Sequence, residues 1–173
     1  MDASDLIDDI FRILEETETG VSSTFAEDLR ERLVEQTKEE ISEGKIDERR
    51  FEELVASILK SQGATETRIV PRQYDKGADI VAEFNVPIDF TVTVAVQVKY
   101  HRETTGIKAI HELIKGMKAE DTKYGWVVTS AKFTEECAQL CEKKKEDGLE
   151  ISLIDADQLA AIIVDSGLRN LLL

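Results

Sequence analysis

Residues 77–100, GADIVAEFNVPIDFTVTVAVQVKY, contain the alternation that decides the fold. Valine stands at every second position over 92–98, which is typical of a strand with one apolar face. A five-residue turn is predicted between Phe84 and Phe90, and pairing these two residues aligns the apolar positions of both strands in one column. A slip of one residue would place Asp79 among the valines, so the register is strongly specified. The stretch therefore predicts an antiparallel hairpin with a polar second face.

Asp79, Gln97 and Lys99 share that polar face in the predicted hairpin. Asp79 is expected to lie diagonal to Gln97, roughly 7–8 Å away between Cα atoms. Carboxylate and amide oxygens are ligands of a hard cation such as Mg²⁺, which takes only one or two carboxylates from a protein. A bound cation makes water more acidic, and Lys99 would orient that water or offset phosphate charge. On geometry alone, an ordinary strand end with polar residues facing water is the alternative.

The chain after residue 46 predicts an α/β fold. A stripe from Phe51 to Leu59 predicts a helix with Asp47 as its N-cap and Gly63 at its end. The later elements alternate between strands and helices, which indicates parallel crossovers after an antiparallel meander. They are strands over 67–72, 77–84, 90–100, 125–130 and 150–154, and helices over 107–119, 134–146 and 156–165. The expected architecture is a mixed β-sheet flanked by helices.

Residues 1–45 predict an acidic helical hairpin, separate from a main domain over 46–173. Apolar residues recur at helical spacing on both sides of a break at Gly20. Each helix is amphipathic, so the pair is expected either to dock on the main domain or to form a homodimer. Residues 1–50 hold 16 acidic and 7 basic side chains, a net of −9, whereas 51–173 hold 20 and 15, a net of −5.

The total charge of −14 disfavours nucleic acid as a partner, because phosphate contacts need Lys and Arg. Most of the acidic excess lies near the N-terminus, however, so the main domain retains room for a local basic surface. The 173 residues contain no apolar run near the roughly 18 residues of a membrane span, and the acidic N-terminus does not resemble a signal peptide. We therefore expect a cytoplasmic protein without a membrane partner. Cys137 and Cys141 are interpreted as buried apolar thiols rather than redox or zinc-binding groups.

Five ordered stretches resemble the catalytic domain of Mrr-type restriction endonucleases, a branch of the PD-(D/E)xK nuclease superfamily. The resemblance covers residues 47–165 in family-like order. The stretches are FEELVASILKSQGA (51–64), PRQYDKGADIVAEF (71–84), VAVQVKY (94–100), GWVVTSAKFTEECAQL (125–140) and ISLIDADQLAAII (151–163). This similarity implies a restriction-endonuclease-like mixed β-sheet flanked by helices, with the N-terminal hairpin outside the match.

The resemblance also implies roles for particular residues. Asp79 matches the metal-binding aspartate and Lys99 the catalytic lysine, while Gln97 stands where the superfamily usually has Glu and the Mrr branch commonly has Gln. Glu52 matches a helical glutamate that is often found beside the site. Asp75 matches the first aspartate of the same motif, where a role in the turn is favoured over catalysis.

Other positions are weaker candidates. His101 and Arg102 follow Lys99 and are candidate DNA contacts, although a strand exit is often polar without function. Glu52 is equally well explained as a solvated glutamate on a helix. Thr129 and Ser130 end a predicted parallel strand, where ligands often bind in α/β sheets. His111 is interpreted as structural.

The sequence therefore predicts a Mg²⁺-dependent endodeoxyribonuclease, with Mn²⁺ as a substitute cation, that hydrolyses DNA phosphodiester bonds. Loss of one carboxylate at Gln97 weakens the expected metal site. The alternatives are a nuclease-fold DNA-binding module without turnover, and a protein-interaction module that uses the hairpin.

Overall fold

A computed structural model describes residues 24–44, 46–71, 77–87 and 90–172. The first helix of the predicted hairpin and Asp75 lie outside these residues. Five strands form one mixed sheet in the order of the sequence. The strands are β1 (Glu66–Ile69), β2 (Ile80–Val86), β3 (Phe90–Lys99), β4 (Tyr124–Thr129) and β5 (Glu150–Ile154). The first three strands are antiparallel and the last three parallel, which confirms the predicted meander followed by crossovers.

Helices cover both faces of the sheet. Helix α1 occupies 24–42, and the others are α2 (Glu48–Ser61), α3 (Lys108–Ala119), α4 (Glu135–Glu146) and α5 (Ala156–Asp165). One core lies between the sheet and α2 with α5, and a second lies between the sheet and α3 with α4. Asp47 caps α2 as predicted, because its side chain accepts a hydrogen bond from the Arg50 backbone N–H at 2.8 Å. No helix among the described residues is long and apolar enough to cross a membrane.

The turn between β2 and β3 is shorter than predicted. Phe84 pairs with Val92, and Val86 pairs with Phe90, so the expected pairing of Phe84 with Phe90 is wrong by two residues. Asn85 and Val86 remain in the ladder, and Asn85 accepts a side-chain hydrogen bond from Thr91 at 3.2 Å. A shift of two residues leaves every side chain on its predicted face, because the side-chain period of a strand is two.

Helix α1 packs against the main domain through its C-terminal half. Ile41 is fully buried in the same core as α2, and Arg169 donates hydrogen bonds to the Thr37 hydroxyl and the Glu40 carboxylate. In contrast, Phe25 and Leu29 near its N-terminal end are 68% and 48% exposed. Arg30 also forms a two-bond ion pair with Asp165 on α5. The described part of the acidic segment is therefore docked in cis and leaves Phe25 and Leu29 exposed near its N-terminal end.

Candidate active site

Asp79 is held at the start of β2 by backbone contacts on both sides. Its N–H donates to the Val96 carbonyl at 2.9 Å, and its own carbonyl accepts from the Val70 N–H at 2.8 Å. The side chain accepts a further hydrogen bond from the Val98 N–H, at 2.7 Å from Oδ2. These contacts fix the carboxylate beside the last residues of β3.

Gln97 lies directly beside Asp79, and not diagonal to it as predicted. The Nε2 group of Gln97 donates to Asp79 Oδ2 at 2.5 Å. The reason is the two-residue shift of the hairpin, which places these residues opposite each other at the end of the ladder. The structure thus brings the predicted carboxylate and amide together more closely than the sequence indicated.

The Oε1 atom of Gln97 is a buried oxygen without a hydrogen-bond donor among the described residues. Gln97 as a whole is only 3% exposed. An unsatisfied buried acceptor costs roughly 1–3 kcal/mol, so an oxygen in this state beside a carboxylate suits a cation. The donor set of Asp79 and Gln97 therefore fits a hard divalent ion such as Mg²⁺. The described residues nevertheless contain no group of three His, Cys, Asp or Glu side chains able to hold a metal.

Lys99 ends β3 on the same face and forms an ion pair that the sequence did not predict. Its Nζ atom lies 2.6 Å from Oε2 of Glu112, which is on helix α3. This oxygen is buried, and the ammonium approaches it as an ion pair without the alignment of a hydrogen bond. Both side chains are about three-quarters buried. Glu112 thus joins the predicted set of polar residues on this face.

Two glycines set the position of α3 beside the site. A Cβ atom on Gly77 would lie 2.1 Å from the Glu112 carbonyl oxygen, and one on Gly116 would lie 2.7 Å from the backbone nitrogen of Ala78. Gly77 also has a positive φ of 104°, which favours glycine. The segment leading into Asp79 and the turn of α3 that carries Glu112 are therefore in direct backbone contact.

Glu52 lies on α2, which covers the opposite face of the sheet. It lines a cleft of about 400 Å³ together with Arg49, Glu53 and residues 69–71. This cleft borders the segment whose Val70 pairs with the backbone of Asp79. The supporting role predicted for Glu52 stays a prediction.

His101 and Arg102 diverge after the end of β3. The His101 ring contacts the Thr105 hydroxyl at 3.3 Å and lines a cleft of about 260 Å³ with Lys99, Lys108 and Glu112. The Arg102 guanidinium instead donates to the backbone carbonyl of Glu43 at 2.8 Å. The structure thus brings His101 to the candidate site and places Arg102 against the end of α1.

Thr129 and Ser130 are buried and act on the loop that follows β3. The Thr129 hydroxyl lies 2.7 Å from that of Thr105, and Ser130 exchanges hydrogen bonds with the backbone N–H and carbonyl of His101. Both residues therefore anchor the loop that contains His101.

Comparisons with known proteins agree with this fold. A family model described as restriction endonuclease, the Mrr catalytic-domain family, matches residues 44–163. The modification-dependent restriction endonuclease AspBHI has a similar structure, with a TM-score of 0.63 and 18% identity over 80% of this chain and 36% of its own. MspJI restriction endonuclease, solved in complex with a 27-mer oligonucleotide, has a TM-score of 0.54 and 14% identity over 78% of this chain and 31% of its own. No curated protein matches the sequence.

The chain thus spans about a third of the length of these two solved proteins, and the shared part is the fold of the sheet and its helices. The family match begins beside the predicted boundary at residue 45 and includes Asp79, Gln97, Lys99 and Glu112. Because it covers well over half of the sequence, the protein belongs to the Mrr-type restriction endonuclease family.

Proposed function

We propose that this protein is a metal-dependent endodeoxyribonuclease that hydrolyses DNA phosphodiester bonds at the face shared by Asp79, Gln97 and Lys99. The observation that carries the proposal is the pair formed by Asp79 and Gln97, with the amide oxygen of Gln97 buried and without a donor among the described residues. Membership of the restriction endonuclease family supports the reaction class. The 27-mer oligonucleotide bound to MspJI and the dependence of AspBHI on DNA modification support DNA as the ligand.

Asp79 and Gln97 would hold the cation through the carboxylate and the amide oxygen. When bound, Mg²⁺ supplies an acidified water and neutralises charge on the attacked phosphate. Asp79 would contribute the negative charge that favours a cation here, and its hydrogen bonds from Val98 and Gln97 hold the carboxylate in position. Gln97 contributes an oxygen without charge, so Asp79 supplies the charge of this pair.

Lys99 would act on the attacked phosphate, whereas Asp79 and Gln97 would hold the cation. Its ammonium group lies where β3 ends and borders the cleft shared with His101 and Lys108. The Lys99 ammonium at this point would offset the negative charge that develops on an attacked phosphate and would orient the phosphate oxygen. His101 and Lys108 add basic groups to the same cleft, which supports a local DNA-binding surface on a chain of net charge −14.

Cleavage of supercoiled plasmid with Mg²⁺ and Mn²⁺ over a series of salt concentrations tests the proposal. We expect nicked and linear products with the wild-type protein, and none with Asp79→Ala or Lys99→Ala that retain the circular dichroism of the wild type. Glu83→Ala, a half-buried position on β2 near its distal end, is the matched control and should cut normally. Equal cutting by wild type and both site variants would overturn the proposal.

A DNA-binding module without turnover is the second candidate, because Gln97 removes a carboxylate from the metal site. It predicts salt-dependent retention of DNA with no product under any cation. Cleavage that depends on Asp79 would rule it out.

The exposed apolar residues of α1 support a further proposal about partners. Phe25 and Leu29 lie on the described end of the acidic segment that does not pack on the core. Self-association of the segment over 1–45 would cover them and give a homodimer, and sedimentation of the Phe25→Ser/Leu29→Ser variant tests this. An unchanged sedimentation coefficient would exclude these residues from self-association.

The cytoplasmic location expected from the sequence also stays a prediction.

A further inference from the structure

We infer that Glu112 is a positioning residue for Lys99, and that it fixes the ammonium group in the place where the reaction needs it. The inference rests on the proposed function for its consequence, because it assigns Glu112 to the same site. The ion pair itself stands on the geometry of α3 and β3, in which Lys99 Nζ and Glu112 Oε2 are 2.6 Å apart.

A lysine at a strand end needs a partner if it is to have a defined position. Its stem has four methylene groups and carries about 2 kcal/mol of rotamer entropy. The Lys99 side chain is 28% exposed and lines the cleft shared with His101 and Lys108. Glu112, at 27% exposure, supplies a negative oxygen at this edge from the helix that covers the sheet.

Glu112 is itself held more firmly than an ordinary surface glutamate. Its carbonyl oxygen lies so close to Gly77 that a Cβ on that glycine would approach it to 2.1 Å. Gly116, one turn further along α3, makes the same kind of contact with Ala78. Because Ala78 precedes Asp79, one packing contact sets both the carboxylate of the strand and the carboxylate of the helix.

Stability alone explains this ion pair poorly. Pairs that retain access to water contribute about 0–1 kcal/mol, and Arg68 with Glu120 at the other end of α3 shows what such a pair looks like. The Lys99 pair differs because one partner is a residue of the proposed site, and because the oxygen it contacts is buried. An effect on the reaction is therefore expected in addition to the loss of stability that follows when one partner of a partly buried ion pair is removed.

The charges on this face explain why a carboxylate occupies position 112. Asp79 is negative, Gln97 is neutral and Lys99 is positive, so the sheet alone presents no excess negative charge to a cation. Glu112 adds a carboxylate that pairs with the Lys99 ammonium. The Asp79 carboxylate is then the one that would bind the metal. The helix thus supplies a charge that the strand lacks at Gln97.

Two measurements on the full chain test the inference, with Glu112→Gln as the variant and Glu120→Gln as the control. Glu120 is just past the end of the same helix, is 29% exposed and pairs with Arg68 at 3.0 Å. The first measurement is the rate of lysine acetylation at Lys99 by mass spectrometry without DNA or metal, relative to the exposed Lys123. We expect a several-fold faster modification of Lys99 in Glu112→Gln and no change in Glu120→Gln.

The second measurement is the single-turnover cleavage rate at saturating DNA, together with the Kd for DNA. A displacement of about 1 Å at a reacting group can cost about a hundredfold, so we expect a loss of about ten- to a hundredfold in rate with Kd changed less than about twofold. Glu112→Asp keeps the negative charge on a side chain that is shorter by one methylene group. Its cleavage rate should lie between those of the wild type and Glu112→Gln. If Glu112→Gln fails to fold, Glu112→Asp takes its place with the same direction of change.

The outcomes separate this inference from the proposed function. If Glu112→Gln does not change the acetylation rate of Lys99, the ion pair does not restrain Lys99, and this result holds for any cleavage rate of the variant. Faster acetylation with a wild-type cleavage rate overturns the positioning role. A wild-type protein that cuts no DNA with any cation defeats the proposed function, whereas the acetylation result still decides whether Glu112 restrains Lys99.

Discussion

Gln97 donates a hydrogen bond from its side-chain amide N–H to Asp79 across two antiparallel strands. The oxygen of the same amide, Oε1, is buried beside the carboxylate. This relationship shows how a site can use an amide where a second carboxylate would otherwise stand. The amide nitrogen restrains Asp79, and in the proposed site the amide oxygen would face the cation. Replacing the amide by a carboxylate removes the restraint and adds charge, which leads to the first prediction.

Gln97→Glu should bind Mg²⁺ more tightly than the wild type but should be less stable in EDTA. Two adjacent carboxylates repel each other without a cation, whereas a cation gains a second charged ligand. A tenfold gain in affinity adds about 1.4 kcal/mol of stabilisation at saturating metal. Urea denaturation with EDTA and with Mg²⁺ measures both effects.

The control is Asn85→Asp, which adds the same charge at an exposed position of the same hairpin. If Mg²⁺ stabilises Gln97→Glu no more than Asn85→Asp, Gln97 does not face the cation.

Gly116→Ala should destabilise the protein by about 1–3 kcal/mol, the usual cost of overpacking. Its Cβ would approach the Ala78 nitrogen and the Gly77 carbonyl carbon to 2.7 Å, and backbone cannot move aside as a flexible side chain does. Gly106→Ala is the control, since open space surrounds that position. Chemical denaturation of both variants gives the comparison, and equal stability would contradict the close packing of α3.

Ile41→Ala should lower the free energy of unfolding by about 2–5 kcal/mol, the range for large-to-small changes in a core. Ile41 is fully buried in the main core although it belongs to the acidic N-terminal segment. Leu29→Ala on the exposed part of the same helix should change stability far less. Similar effects of the two variants would mean that α1 does not share the core in solution.

Asp157→Asn should destabilise the protein at pH 7 and lose this effect in acid. The hydrogen bond from Lys38 is the main reason that the pKa of Asp157 lies below its ordinary value, and Lys132 adds a second bond that lowers it further. A carboxylate with a lowered pKa stabilises the fold above its unfolded pKa of about 4, and this contribution disappears as the pH falls through the folded pKa.

Thermal denaturation of wild type and Asp157→Asn from pH 7 to pH 2 follows this change. The difference between the two melting temperatures should begin to shrink near pH 4 and should vanish only below the lowered pKa of the folded state. A constant difference over the whole range would show that the carboxylate charge is not responsible. Asp121→Asn, at an exposed turn, serves as the control.

Cys137 and Cys141 should resist alkylation by iodoacetamide in the native protein at pH 8. Burial raises the pKa of the Cys141 thiol to about 11, with smaller contributions from Cys137 and Glu142. At pH 8 this leaves about 0.1% of the group as the reactive thiolate. Cys137 is buried as predicted, whereas Cys141 is half-buried. Mass spectrometry after labelling should find both thiols modified only in denaturant, and rapid modification of Cys141 in the native state would contradict its raised pKa.

The alternation in residues 77–100 was sufficient to predict the faces of the hairpin but not its register. Apolar residues repeat every second position, so a pairing shifted by two satisfies the pattern equally well. The length of the turn decides between the two registers. The polar and apolar pattern does not show whether Asn85 and Val86 belong to the turn or to β2. The distance between Asp79 and Gln97 was therefore overestimated.

Glu112 was missed because the apolar stripe of α3 does not show which polar side chain of that helix lies beside the end of β3. The predicted stripe of α3 passes through Ile110 and Ile114, and Glu112 lies beside it. The signal that was available is the spacing of small residues, since Ala109 and Gly116 lie on the same side of the helix as Glu112 and mark a close approach to the sheet. Sequence alone does not show which strand end faces that side.

The most direct measurement of the central claim is cleavage of supercoiled plasmid by wild type and Asp79→Asn, purified side by side, in Mg²⁺ and in Mn²⁺. Asparagine retains the size of the side chain and an acceptor for the Val98 N–H, while the charge is lost and one oxygen becomes an NH2 group. We expect the wild type to cut the plasmid and the variant to leave it intact at equal protein concentration. Cleavage of equal rate by both proteins would contradict it.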